Sequence, residues 1–483
     1  MPAVPNSDIV NVSISIADGA VQQAGFGTIM IVGQSTILGA SEVLTATSVQ
    51  DWLDADAAAA VTDEEYLALN SIFSQQPTVA SVKVCRRSAD TSAVQRVSFA
   101  ADFQAAGTIN ISYTYTDLAG ATITETIATP YNTSHAQTIT DVTAALLALT
   151  IVTAATGTNT APGARFDVTI DPSLSRTALV TFTVNSVTGG AGAQSGTTST
   201  TTTPATLTDR LGTLAASEDS DWYCLLLTHV GTDAVRNMDS YRAAAWVEGG
   251  TIDAIYIGQS DVSAISAGTA GNVAKVLEAA SYHRSHIFFQ PESDYADAEL
   301  AGRALSQDLD VSSIDWWRLR LTGSTVQTYT PTQRATLNGD SVGYYTTSSG
   351  TARYIGGKMA SGRYIDQQLT VDWFKARVAE DIIAYLDRGA DSNIKRTYTD
   401  ATVADIAGLI RARWQNGVAA RHFAATKTAA NGDTVDGLTI TKGLVSAQSS
   451  ANRTARTYAG LSATVQLAGG IRFVNPLTIV LEV

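Results

Sequence analysis

Apolar runs of strand length alternate with amphipathic helical stretches across residues 222–305, and this repeat leaves few folds open. The runs fall at residues 222–227, 252–257 and 286–289, and the helical stretches at 234–246, 272–282 and 294–305. Consecutive strand and helix units predict parallel strands covered by helices. Similar material opens the chain. An unbroken apolar run at residues 28–32 fits a strand buried on both faces, followed by helical patches at 49–59 and 63–73 and a strand at 79–85.

Between these two stretches the character changes. From residue 94 to 204 the chain is rich in Thr and Ser, poor in charge and alternating: Ile109, Ile111, Tyr113 and Tyr115, a turn at 117–120, then Ile123 and Ile127. Further strands are expected at 166–170 and 179–184, with one helix at 139–149. The Gly, Ser and Thr tract at 188–208 predicts a flexible return linker. A β-rich domain is therefore expected as an insertion into an α/β domain whose two halves share one sheet.

Two amphipathic helices follow, one carrying Val371, Phe374, Val378, Ile382 and Tyr385, the other Val403, Ile406, Ile410 and Trp414. Strands are expected at 438–441 and at 461–467, where Leu461, Ala463, Val465 and Leu467 alternate with polar residues. Both ends of the chain also alternate. Val10, Val12, Ile14 and Ile16 form one side of an early strand, and Leu477, Ile479, Leu481 and Val483 one side of a last strand. Neither has a core of its own, so pairing with strands of other copies is expected of both.

The fold class is thus α+β and multidomain. The expected parts are an N-terminal strand arm (1–20), a discontinuous α/β domain (21–93 and 209–330), an inserted β-rich domain (94–208), a C-terminal α+β assembly domain (331–470) and a C-terminal strand arm (471–483).

Composition narrows the function. The net charge of −14 argues against a nucleic-acid partner, whose binding draws on Lys and Arg clusters. The total hides a split: residues from Thr330 onward hold 17 Lys and Arg against 12 Asp and Glu, leaving 14 against 33 before it. Opposite charges of this kind suit docking within the chain or head-to-tail contact between copies. No run reaches about 18 apolar residues, and the start lacks the pattern of a signal peptide, so a cytosol-like compartment is expected. Cys85 and Cys224 lie in apolar runs and read as small buried hydrophobes.

Chemical motifs are sparse. Gly339-Asp340-Ser341-Val342-Gly343 has the letters of a nucleophile elbow, but polar residues precede it where a buried strand is required, so a loop is expected. Gly356-Gly357-Lys358 lacks the earlier glycine of a phosphate loop, having Ala352 there, and has Met359 where a hydroxyl should hold magnesium. His283 and His286 have no third ligand in sequence, and solvated or capping roles are expected of them. Asn431, Asp433 and Asp436 miss calcium-loop spacing and suit a hairpin turn. Asp54 and Asp56, like Asp308 and Asp310, read as surface acid pairs. Trp316 and Trp317, beside Arg318 and Arg320, suit either strand core or an anchor for a partner. No catalytic residue, metal or cofactor is expected.

The order of parts resembles the contractile tail sheath proteins of bacteriophages, in the branch with a Thr-rich inserted domain. The resemblance rests on residues 64–87 ending in Arg86-Arg87, on Trp316-Trp317 leading through Leu321-Thr322-Gly323 to Tyr329-Thr330-Pro331-Thr332-Gln333, and on residues 338–345, Gly356-Gly357, residues 362–366 and Trp373. It implies a sheath-like core and a structural, non-enzymatic subunit of the virion, assembled in the host cytoplasm. Hexameric rings would stack helically around a tail tube protein, with baseplate and tail terminator proteins as further partners. Contraction would drive the tube through the host envelope for genome ejection, without membrane insertion of the sheath. Terminal arms would pair with neighbouring subunits, the basic C-terminal part facing the tube and the inserted domain facing outward. An adhesin or surface-array protein is the alternative, and an α/β hydrolase built on Ser341 a weaker one.

Overall fold

The computed structural model describes residues 9–12, 25–88, 90–176, 181–189, 193–203, 206–217, 221–391, 395–429 and 432–470. After strand β1 (Ile9–Val12), the core begins with β2 (Ile29–Gly33), β3 (Val43–Ala46), helices α1 (Gln50–Ala55) and α2 (Glu64–Phe73), and β4 (Val82–Arg86). Helix α1 ends earlier than its periodicity suggests, because Asp56 turns extended.

The inserted region holds β5 (Val94–Phe99), β6 (Thr108–Thr116), β7 (Thr122–Pro130), α3 (His135–Leu147), β8 (Val152–Asn159), β9 (Ala164–Ile170), β10 (Thr181–Thr188), β11 (Gln194–Ser195) and β12 (Thr197–Thr202). These strands make two four-stranded sheets, ordered β11-β10-β6-β7 and β12-β5-β9-β8. Ile109, Ile111 and Tyr113 of β6 meet Val97 and Phe99 of β5, Phe166 and Val168 of β9, and Val142 and Leu146 of α3 in a core of their own. One expectation fails here. Much of the Thr-rich tract is not a linker: Thr197–Thr202 is an exposed edge strand paired antiparallel with β5. Backbone hydrogen bonds hold it, and the β-branched threonines favour the extended chain whether or not their side chains are buried.

The core resumes with α4 (Leu207–Ala215), β13 (Cys224–Leu227), α5 (Asp233–Glu248), β14 (Ile255–Ser260), α6 (Ser263–Ser266), α7 (Val273–Ala279), β15 (Ser285–Phe289) and α8 (Ala296–Leu305). It continues into α9 (Pro331–Gly339), β16 (Gly343–Ser348) and β17 (Thr351–Ile355). Together they form one eight-stranded sheet, β17-β16-β15-β14-β13-β2-β4-β3, parallel except for the outermost strand at each edge. The boundary drawn at 330/331 therefore falls inside this sheet, since Phe288 and Phe289 of β15 pair with Gly343 and Tyr344.

The sheet is covered on both sides, which is why its central strands read as continuous apolar runs. Ile29, Ile31, Val82, Val84 and Leu226 face one layer, with Trp52, Leu69, Leu300 and Trp373 packed over them. Met30, Val32, Leu225 and Tyr256 face the other, against Leu207, Leu211, Val247 and Leu277. Each such side chain, fully buried, contributes about 1.5–3 kcal/mol. On the first side α2 and α8 approach so closely that a Cβ at Gly302 would stand 2.9 Å from the Ile72 Cα.

The C-terminal part has two long helices, α10 (Ile365–Asp391) and α11 (Asp400–Ala419), then a small hairpin of β18 (Thr426–Thr428) and β19 (Thr434–Asp436), and strands β20 (Leu438–Thr441) and β21 (Ser462–Gln466). Its cations meet the acidic part of the chain. Arg377 and Arg413 pair with Asp310 at 3.0 and 3.4 Å, and Lys375 with Asp253 at 2.7 Å. Some of the opposite charge is thus satisfied within the chain, and Asp310 is a hub instead of an ordinary surface acid.

Candidate assembly surface

Strand β21 keeps the alternation of its sequence: Ala463 and Val465 are buried and Ser462 exposed. Their inward side, with Leu438 and Leu467, packs toward Phe374, Ile410, Trp414 and Phe423 of the helical layer. One edge of β21 pairs antiparallel with β20, Leu438 opposite Val465. The other edge is filled by β1, with Ile9 opposite Gln466, Val10 opposite Val465 and Val12 opposite Ala463. The sheet is β1-β21-β20, and among the described residues no strand covers the outer edge of β1 or of β20. Such edges present unpaired N–H and C=O groups to any incoming strand.

Val10 and Val12 therefore lie in a strand, paired with β21 of the same polypeptide. That edge would otherwise stand open. Ile14, Ile16, Leu477, Ile479, Leu481 and Val483 lie outside the described residues.

The region from β5 to β12 is tied to the large sheet's helices by buried charge. Arg242 of α5 ion-pairs with Asp90 and donates to the carbonyls of Pro172 and Ser175 at 2.7 and 3.0 Å. Arg87 pairs with Asp90 and with Asp239. Asp90 also accepts from the Leu207 N–H at 3.0 Å, so the two ends of the insertion meet at one carboxylate. Sequence patterning misses this cluster because residues bonded in it lie up to 152 positions apart.

The chemical motifs resolve into structure. Ser341 follows a helix and precedes a strand, α9 to β16, the reverse of the order an elbow needs. The polar stretch before it is helical and not a loop: Thr330 and Gln333 form a reciprocal cap, with Pro331 in the first turn. His286 is neither solvated nor capping. It is wholly buried, with Nδ1 at 2.6 Å from the Lys358 carbonyl and Nε2 at 2.8 Å from the Tyr354 hydroxyl. His283 instead has its Nδ1 2.9 Å from the Ser361 hydroxyl. Asp433 and Asp436 belong to the β18–β19 hairpin region, and Asn431 lies outside the described residues. Trp316 is core, in irregular chain instead of a strand, whereas Trp317 is half-buried under the Arg318 guanidinium. Cys85 and Cys224 are buried and not disulfide-bonded, and burial raises the Cys224 thiol pKa well above its usual value.

Asp233, Asp261 and Glu292 converge, but Arg236 pairs with Asp233 and Glu292 at 2.5 Å each and supplies the positive charge there. No helix among the described residues is long and apolar enough to cross a membrane.

No protein-family model matches the sequence, and no curated protein matches it. Among solved structures, the chain is similar to a sheath tail protein of Listeria innocua at 12% identity, covering 87% of this chain and 89% of that one, with a TM-score of 0.44. It is also similar to a sheath tail protein of Desulfitobacterium hafniense at 12% identity, covering 89% and 92%, with a TM-score of 0.40.

Proposed function

We propose that this chain is a structural subunit of a phage contractile tail sheath, polymerising as stacked hexameric rings around a tail tube. The observation that carries this is the N-terminal strand: β1 stands apart in sequence from every other element and joins the β20–β21 pair through backbone pairing at an edge. A strand held in this way can leave its own sheet for the same edge of a neighbour without disturbing the core, since each hydrogen bond lost is remade. The C-terminal alternation of Leu477, Ile479, Leu481 and Val483 supplies a second such arm. Two arms at opposite ends let one subunit bond two others while its body moves, as contraction of a lattice demands. The basic C-terminal part faces the tube and the inserted domain faces outward.

The role is mechanical. Neither Ser341 nor the buried histidines form a catalytic arrangement, the serine because of its element order and the histidines because their ring nitrogens are engaged in the core.

Deletion of residues 1–17 or 476–483 tests the arms. Each truncated chain is expected to remain folded and monomeric where the full chain polymerises. Tubes formed by either truncated chain would contradict strand exchange.

A further inference from the structure

A second surface bears on how copies meet. At the β16–β17 edge of the large sheet lies an open cleft of about 720 Å³, built from α9, the β16–β17 hairpin, the segment around Gly356–Tyr364 and the Trp317-Arg318 pair. Three cations line it: Arg318, Arg334 and Lys358. Arg318 stacks over the Trp317 ring at 5.3 Å, and the Lys358 ammonium sits 5.6 Å from the centre of the Tyr364 ring. Among the described residues no carboxylate lines the cleft and none pairs with any of the three. In a chain of net charge −14, three unmatched cations in one aromatic-walled cleft mark a site for a negative partner.

The opposite edge of the same sheet carries the matching charge. No Lys or Arg occurs before Lys83, while Glu42, Asp51, Asp54, Asp56, Asp63, Glu64 and Glu65 follow one another through β3, α1 and α2. Asp54 in the last turn of α1 and Asp56 just after it are exposed, accepting from the Gln50 amide and the Ala58 N–H respectively, and Val61 is 55% exposed. Strand β3 is the last strand on that side and β17 the last on the other. Seven inter-strand spacings separate them, roughly 34 Å at about 4.8 Å each.

We propose that the cleft receives the segment from Asp54 to Val61 of a second copy, the end of α1 and the chain after it, the carboxylates facing Arg334 and Lys358 and Val61 facing the aromatic wall. Complementary patches at opposite edges of one sheet make a head-to-tail contact, which closes into rings or continues as a helix. This contact deepens the polymer reading above and rests on it for the second copy. It is separate from the arms, because it uses side chains on the rigid sheet.

Charge reversal with rescue tests it. In full-length protein, R334E/K358E and D54K/D56K are each expected to raise the critical concentration for assembly, followed by light scattering, at least about tenfold. The chain carrying all four changes is expected to recover assembly, since each cleft again meets its opposite. Assembly unchanged by either reversal, or a folded four-change chain that does not recover, overturns the proposal.

If the parent chain does not polymerise, the sheath reading falls and a binding measurement still decides the cleft. A labelled peptide of residues 50–65 is expected to bind the full chain, more weakly as salt rises, and at least about tenfold more weakly to R334E/K358E. No binding to the parent overturns the proposal. So does preference for a peptide of residues 471–483 or for a single-stranded DNA oligonucleotide.

Discussion

Arg284 donates from both terminal nitrogens to the two carboxylate oxygens of Asp372, each at 2.8 Å. The pair joins the start of β15 to α10, and Asp372 also accepts from the Tyr223 hydroxyl at 2.8 Å and the Gln368 amide at 3.0 Å. Asp372 is 2% exposed. Replacing it with Ala leaves Arg284 with Asp253 and the Ala254 carbonyl but takes the acceptor from the buried Tyr223 hydroxyl, and the expected loss is about 1–3 kcal/mol in urea unfolding. Arg284→Lys is expected to lose less than that, because an ammonium keeps the charge but cannot span both oxygens.

His286 sets a pH dependence. Its Nδ1–H donates to the Lys358 carbonyl while Nε2 accepts from the Tyr354 hydroxyl, an arrangement that requires the neutral ring. Burial pushes its pKa down to about 4, against the opposing pull of that carbonyl. Between about pH 6.5 and 4 the unfolded chain takes up a proton that the native chain refuses. The stabilisation is full above that window and declines as pH falls through it. From pH 7 to 5 the loss is about 2 kcal/mol, and His286→Asn is expected to remove that share of the slope. An unchanged slope in the variant would contradict it. His422, also lowered by burial, acts with the same sign. His229 is desolvated, yet Asp297 raises its pKa, so its contribution is lost as pH rises instead.

The inserted domain is expected to be removable. Asp90 and Leu207 are already bonded, so replacing residues 92–205 by a short Gly-Ser turn closes the core without spanning a gap. Arg242 keeps Asp90 but loses the Pro172 and Ser175 carbonyls, a cost of about 1–2 kcal/mol. The trimmed core is expected to melt cooperatively, no more than about 8 °C below the parent. Failure of the core to fold would contradict the separation of the two hydrophobic cores.

The parts legible in sequence are those whose burial leaves a periodic trace. Ile29 to Val32 and Leu225 to Leu227 are buried or nearly so and read directly as strands of a covered sheet. Helix α9 is hidden because Leu337 is its only buried residue, so no apolar stripe marks it; the signal is instead Thr330-Pro331 with Gln333 three residues after the cap. Strand β12 is hidden because edge pairing is a backbone matter. The membership of β16 in the large sheet is hidden too, since Tyr344 and Tyr345 announce a strand without naming its neighbour. Both candidate surfaces divide the same way. The alternation of Val10 and Val12 is visible in the sequence, whereas Arg318, Arg334 and Lys358 are scattered residues that only the fold brings to one cleft.

Negative-stain microscopy of the purified full-length chain, taken up a concentration series, tests the assembly claim most directly. Six-membered rings and tubes stacked from them are the predicted result. Particles that remain monomeric at the highest concentration would contradict it.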